Sequence, residues 1–305
     1  MDEAPDRRGL LLGTSAYLLW GFLPLYFPLL TPTGAVEIIA HRIVWSLLFC
    51  VLVLAATGGL GSLRPVLQSR RTTASLAGAG VLVATNWLVY VYGVLSGHTV
   101  DAALGYYINP LVTVLLAVVV LGERLRPAQV AAIAVAACAV VVITVGVGRF
   151  PWVAVVLAVT FALYGLVKNR TGRTVGALAG LTVETATMTP LALAFLVWST
   201  AQGTLSFGAH GGWHTLGILA LGPITAVPLL LFGSAARRLP LSVIGLLQYL
   251  TPTMQFAVAV LVFGEEMPAA RWWGFVLVWV ALAVMTVDGV RAGRARVPVQ
   301  TTVNQ

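Results

Sequence analysis

The chain has 305 residues, of which 59% are hydrophobic and only 9% carry a charge, and its mean hydropathy is +0.95. Soluble domains carry about 25% charged residues, so this composition excludes a water-soluble globular protein and makes lipid the main solvent. The formal charge of +8 does not point to nucleic acid, because the basic residues gather at the ends of apolar runs.

Ten such runs follow one another: residues 9–30, 36–56, 74–96, 101–121, 127–146, 151–167, 177–199, 213–236, 240–262 and 268–289. About 20 helical residues cross a hydrocarbon core of about 30 Å, and backbone groups in lipid must be paired internally. Each run is therefore predicted to be a membrane-spanning helix, and the fold class is an all-α integral membrane protein. The alternating pattern of a β-barrel is absent. The first run continues past Pro28, longer than the apolar region of a signal peptide.

Arg7 and Arg8 precede the first span, Arg64, Arg70 and Arg71 follow the second, and Arg124 and Arg126 the fourth. Lys168, Arg170 and Arg173 follow the sixth, Arg237 and Arg238 the eighth, and Arg291, Arg294 and Arg296 the tenth; the other side receives only Arg149 and Arg271. The positive-inside rule then places segment 1–8 and the tail 291–305 in the cytoplasm.

The polar residues inside spans are the candidate functional residues, since each costs free energy to place there. The first span carries Trp20, the second Glu37, His41 and Arg42, and the third Asn86, Trp87 and Tyr90. Asp101, Tyr106, Asn109, Pro110 and Thr113 lie on the fourth, Glu184 on the seventh, and Gln248, Thr251, Pro252 and Gln255 on the ninth. Glu37 and His41 are one turn apart and can touch. Arg42, deeper in its span, needs a counter-ion or a polar cavity, with Glu37 and Asp101 as candidate partners. Glu184 has Lys168, Arg237 or Arg238 within plausible reach. Each of these charges is either a structural pair or a gating or coupling group, and His41 is a candidate proton relay. The aromatic side chains suit an amphipathic organic solute better than an inorganic ion; packing is the alternative. Cys50 and Cys138 have neither disulfide nor metal spacing, and no phosphate-binding G-x-x-x-x-G-K-[ST] loop occurs, so no metal, cofactor or ATP is expected.

Two stretches repeat at a constant offset of 142 (249 − 107). Tyr107, Pro110, Ala117, Val118, Val120, Gly122 and Glu123 recur as Tyr249, Pro252, Ala259, Val260, Val262, Gly264 and Glu265. Five spans per half is an odd number, so the second copy enters the membrane inverted. The predicted organisation is a first five-helix repeat over 9–146 and a second, inverted one over 147–290. Under the same offset Tyr106, Asn109 and Thr113, which share a helical face, correspond to Gln248, Thr251 and Gln255. These matched stripes are either interhelical contacts or the lining of a cavity. Pro110 and Pro252 each remove a helical hydrogen bond and are candidate helix breaks that free a carbonyl.

Several segments carry a family resemblance. Ala16-Tyr-Leu-Leu-Trp-Gly-Phe-Leu-Pro-Leu-Tyr26, Glu37-Ile-Ile-Ala-His-Arg-Ile-Val-Trp-Ser46, Asn86-Trp-Leu-Val-Tyr-Val-Tyr-Gly93 and Leu104-Gly-Tyr-Tyr-Ile-Asn-Pro-Leu111 resemble RarD-type proteins. These form part of the EamA branch of the drug/metabolite transporter superfamily. The resemblance implies a ten-helix inner-membrane transporter of 5+5 inverted-repeat design, associated with chloramphenicol sensitivity. Inverted repeats serve alternating access, so the function expected is secondary transport, as an exporter, of small organic metabolites or drugs. An intramembrane enzyme is the weaker alternative, since no H-E-x-x-H or G-x-S-x-G motif occurs; a membrane scaffold or sensor is the other. The bilayer and a small organic substrate are the expected partners. Oligomeric state, a monomer or a homodimer, stays open.

Overall fold

The computed structural model describes residues 6–121, 124–171 and 174–295. The Gly122–Glu123 end of the first repeat, Arg173, and the tail from Arg296 lie outside the described residues. In chain order the helices are α1 (Arg7–Tyr26), extended by a 3-10 turn (Phe27–Leu30); α2 (Ala35–Ala56); a 3-10 turn (Gly59–Ser62) leading to the short α3 (Leu63–Gln68); α4 (Arg70–Leu95); α5 (Thr99–Leu121); and α6 (Pro127–Val147). Then come α7 (Trp152–Thr171), α8 (Ala177–Ala201), α9 (Gly212–Ala236), α10 (Leu241–Leu247), α11 (Leu250–Ala257) with a π-helical turn (Val258–Val262), and α12 (Ala269–Ala295). Ten segments are long and apolar enough to cross a membrane, and no strand occurs among the described residues. The sixth span runs beyond its expected end at 167 to Thr171, because the long apolar stem of Lys168 lets its charge stay in the helix.

The described residues divide into two compact units. One takes Met1–Tyr106 with Val153–Glu266, the other Tyr107–Trp152 with Met267–Gln305. Each unit therefore mixes helices from both sequence halves.

In the first unit α2 packs against α8 and α9, α1 against α9 and α11, and α4 against α8. Its core gathers Phe27, Leu30, Ile38, Ile43, Tyr90, Val91, Leu157, Ile218 and Leu221. Small residues let the backbones meet. A Cβ on Gly222 would lie 2.5 Å from the carbonyl oxygen of Trp45, and one on Gly80 2.7 Å from that of Glu184. No real side chain fits there without parting α9 from α2 or α4 from α8.

In the second unit α6 packs along α12, burying Ala132, Ala136, Ala139 and Ile143. Tyr107 meets Phe275 and Trp279 edge-on, each at 6.2 Å between ring centroids. Arg126 reaches Asp288 at 2.7 Å.

Large apolar side chains such as Leu29, Leu52, Val119, Val145, Leu261 and Trp273 are exposed. Water would penalise such a surface and hydrocarbon does not. At the chain's start Asp6 caps α1, accepting a hydrogen bond from the Arg8 amide at 3.0 Å. That amide holds its carboxyl below the usual value.

Candidate functional site

The first unit holds a polar and aromatic cluster centred on Arg42. Seven residues beyond the start of α2 place it about 10 Å along the helix axis, and it is only 4% exposed. Its Nε donates to Thr225 Oγ1 on α9 at 2.8 Å. Its guanidinium carbon lies 4.0 Å from the ring centroid of Trp87 on α4. The titratable groups around it are the phenols of Tyr90 and Tyr106, and Nη1 is buried without a hydrogen-bond partner. A central charge costs about 2.5–3.5 kcal/mol. The aromatic face returns about 0.5–2 kcal/mol and a hydrogen bond from a charged donor about 1.5–3. These returns offset much of the charge without any carboxylate, but the unpartnered Nη1 still costs about 1–3 kcal/mol.

That corrects the expected pairing of Arg42 with Glu37 or Asp101. Glu37 lies five residues earlier on α2, a spacing that directs the two side chains to different sides of the helix. Its Oε1 instead accepts from the backbone amides of Ser206 at 2.8 Å and Phe207 at 3.3 Å. Glu37 thereby ties the loop before α9 onto α2, where those amides need an acceptor. Asp101 is buried in the first turn of α5, where the helix dipole favours a carboxylate. His41 does approach Glu37, Nε2 to Oε1 at 3.7 Å, and its ring packs on Phe207 at 5.1 Å. Neither His41 nitrogen has a hydrogen-bond partner among the described residues.

Around Arg42 the expected aromatic residues do gather. Asn86 donates to Thr160 Oγ1 at 2.9 Å and to the Leu157 carbonyl at 3.0 Å, and accepts from Tyr106 OH at 3.0 Å. The Tyr90 and Tyr106 rings meet edge-on at 5.7 Å, and Phe27 closes on Tyr90 at 6.0 Å. Trp20 and Trp87 pack against the same core.

The ninth-span stripe resolves into contacts with α1. Thr251 donates to the Tyr17 carbonyl at 2.8 Å and Gln255 Nε2 to that of Trp20 at 3.3 Å. Pro24 sits four residues beyond Trp20 inside α1 and has no N–H to offer that carbonyl, so Gln255 serves it instead. Gln255 also neighbours Tyr90, yet Gln255 Oε1 and Tyr90 OH are both buried without a partner. Gln248 is exposed. On α5 the Thr113 hydroxyl bonds its own helix at the Asn109 carbonyl, 2.9 Å away.

The two prolines differ. Pro252 stands in the first turn of α11, just after an interruption of the span in which Gln248 and Tyr249 separate α10 from α11. Pro110 lies inside α5, which continues through it. The helix-break expectation is corrected there: one lost donor in a long helix with neighbours on both sides is absorbed.

Glu184 takes Lys168 from its three expected partners, Nζ to Oε1 at 2.7 Å, and accepts from Tyr164 OH at 3.1 Å. Glu265, known from sequence only as part of the repeat, receives the amides of Thr99 at 2.6 Å and Val100 at 2.9 Å. It thus caps the start of α5. Thr160, Tyr164 and Thr225 escaped the sequence argument. The first two left a signal, being polar residues at i, i+4 on an apolar span, whereas Thr225 left none. Among the described residues no group of three metal-ligating side chains comes together.

Among the described residues, ten helices long and apolar enough to cross a membrane define a multi-pass membrane protein. Residues 7–145 match the EamA-like transporter family. Protein RarD of Streptomyces exfoliatus is 48% identical over 96% of this chain and 92% of its own. The Chloramphenicol-sensitive protein RarD of Pseudomonas aeruginosa is 32% identical over 93% and 95%. A solved crystal structure shares the fold, with a TM-score of 0.59 at 22% identity over 92% of this chain and 98% of that one. The chain belongs to the EamA-like transporter family.

Proposed function

We propose that this protein is a secondary transporter exporting small organic molecules across the bacterial cytoplasmic membrane by alternating access. The observation that carries this reading is the cluster in which buried Arg42, Tyr90 and Asn86 meet partly buried Trp87 and Tyr106. Polar groups inside spans are expensive and mark solute pathways. The 142-residue repeat supports two inverted five-helix halves that rock about such a centre. The distribution of arginine and lysine supports cytoplasmic ends. With no nucleotide-binding loop in the sequence, the driving force is an ion or solute gradient rather than ATP.

The name of the Pseudomonas relative puts chloramphenicol among the first solutes to test. Purified protein in liposomes should carry at least one organic solute down its own gradient, above the leak of protein-free vesicles. An imposed pH or sodium gradient then reads the coupling ion. Vesicles that carry none of a broad solute panel, with the protein shown to be folded, would move the assignment to a scaffold or sensor.

A further inference from the structure

Taken together, the groups around Arg42 specify a ligand. A guanidinium keeps its charge in proteins, so this cation cannot be neutralised by losing a proton. Of its five N–H donors, one is placed on Thr225, and Nη1 is buried with no partner. No carboxylate answers it among the groups around it, which are Tyr90 and Tyr106. Of the buried acids, Glu37 is committed to the Ser206 and Phe207 amides and Glu184 to Lys168. The Tyr90 hydroxyl, on a side chain beside it, is also buried without a partner. Buried polar groups in folded proteins are almost always hydrogen-bonded, so unmet donors beside a permanent cation point to an exogenous acceptor.

We propose that Arg42 is the seat for the acidic group of a small organic anion whose aromatic body lies against Trp87, Tyr90 and Tyr106. A neutral carbonyl would satisfy one N–H and leave the charge uncompensated. A carboxylate answers both, and it matches the planar fork of the guanidinium. An organic cation would be repelled from the same place. The Tyr90 hydroxyl supplies a second donor to the carboxylate, and the stacked rings supply apolar area for an aromatic body. Entry to the seat follows the rocking of the helices, so this inference rests on the transport reading and names the class of solute for it.

The test compares three acids with their own amides: phenylacetate, indole-3-acetate and 2-naphthoate, each against the neutral amide of identical shape. Binding is measured by titration calorimetry on the full chain in neutral detergent, where no transport is needed. At least one acid should bind about tenfold or more tightly than its amide. Arg42→Gln should abolish that preference and Arg42→Lys should keep part of it, because the charge remains and the fork does not. If Arg42→Gln does not fold, the acid–amide comparison on the unaltered protein and on Arg42→Lys still decides. No acid bound better than its amide, or a preference that survives Arg42→Gln, overturns the proposal. Arg42-dependent binding without any flux in liposomes would sink the transport reading and leave the seat standing. Flux of neutral solutes with no acid preference would do the reverse.

Discussion

Deleting Lys168 should destabilise the protein far more than neutralising the acid it holds. The Glu184 side chain is 0% exposed and that of Lys168 27% exposed, and Nζ stands 2.7 Å from Oε1. At an effective dielectric near 20 that separation corresponds to an attraction of about 6 kcal/mol. The desolvation of a buried carboxylate opposes it with several kcal/mol. Lys168→Met removes the attraction and leaves the desolvation, so the expected loss is about 3–5 kcal/mol. Glu184→Gln keeps an acceptor for Tyr164, and the Lys168 ammonium can turn along its flexible stem toward water, so its cost is about 1–2 kcal/mol. The pair Glu184→Leu with Lys168→Met should lie close to the unaltered protein, since a buried ion pair replaced by apolar groups is often neutral. The assay is unfolding by dodecyl sulfate in mixed micelles, with the coupling energy taken from the cycle of Lys168→Met, Glu184→Leu and their combination. Equal losses in Lys168→Met and Glu184→Gln, or a double variant as unstable as the sum of Lys168→Met and Glu184→Leu, would refute the reasoning. If the pair is structural, the double variant also keeps its flux per folded molecule.

Glu265→Ala removes a charged acceptor from two amides at the start of α5 and should cost about 1–2 kcal/mol by the same unfolding assay, as lost helix caps do. Glu265→Gln should fall between. Gly222→Ala would drive a methyl to 2.5 Å from the Trp45 carbonyl and should cost about 1–3 kcal/mol through forced separation of α2 and α9. Gly34, with nothing within 4 Å of an added Cβ, should accept alanine with a change below about 0.5 kcal/mol. Reporter fusions after Arg71 and after Arg296 should signal the cytoplasm and one after Gly203 the outside; a tail on the same side as Gly203 would contradict the inverted 5+5 arrangement.

The spans were legible because length and apolar content decide them, and lipid leaves a long apolar run no option but helix. Partners were less legible. Arg42 stood out as expensive, but its support from Trp87 and Thr225 comes from α4 and α9, and no spacing along the chain links those residues. The carboxylate expected beside it was drawn instead to loop amides, a demand that exists only once the loop is folded. Symmetry misled at the stripes. Pro110 and Pro252 occupy equivalent positions in the repeat, yet only the second accompanies an interruption of its span. Thr251 and Gln255 are claimed by carbonyls of α1, one of them freed by Pro24. The repeat's own Glu265 was visible as a pattern, and its role as a cap was not, because the amides it serves lie in the other half of the sequence.

The pairing of α6 with α12 has a consequence for biosynthesis. Ile143 packs where Gly274 leaves room, so α6 enters the membrane well before the helix that covers its alanine face has been made. At about 5–20 residues per second the intervening chain takes on the order of ten seconds to synthesise. Throughout that interval a stripe of small residues faces lipid or whatever insertion factor shields it. A ribosome stalled after the π-helical turn (Val258–Val262) would release a chain whose first unit has all its helices while α6 waits for a neighbour that never arrives. Membrane proteases that survey unpaired helices should recognise that truncated product, and supplying α12 as a separate peptide should protect it.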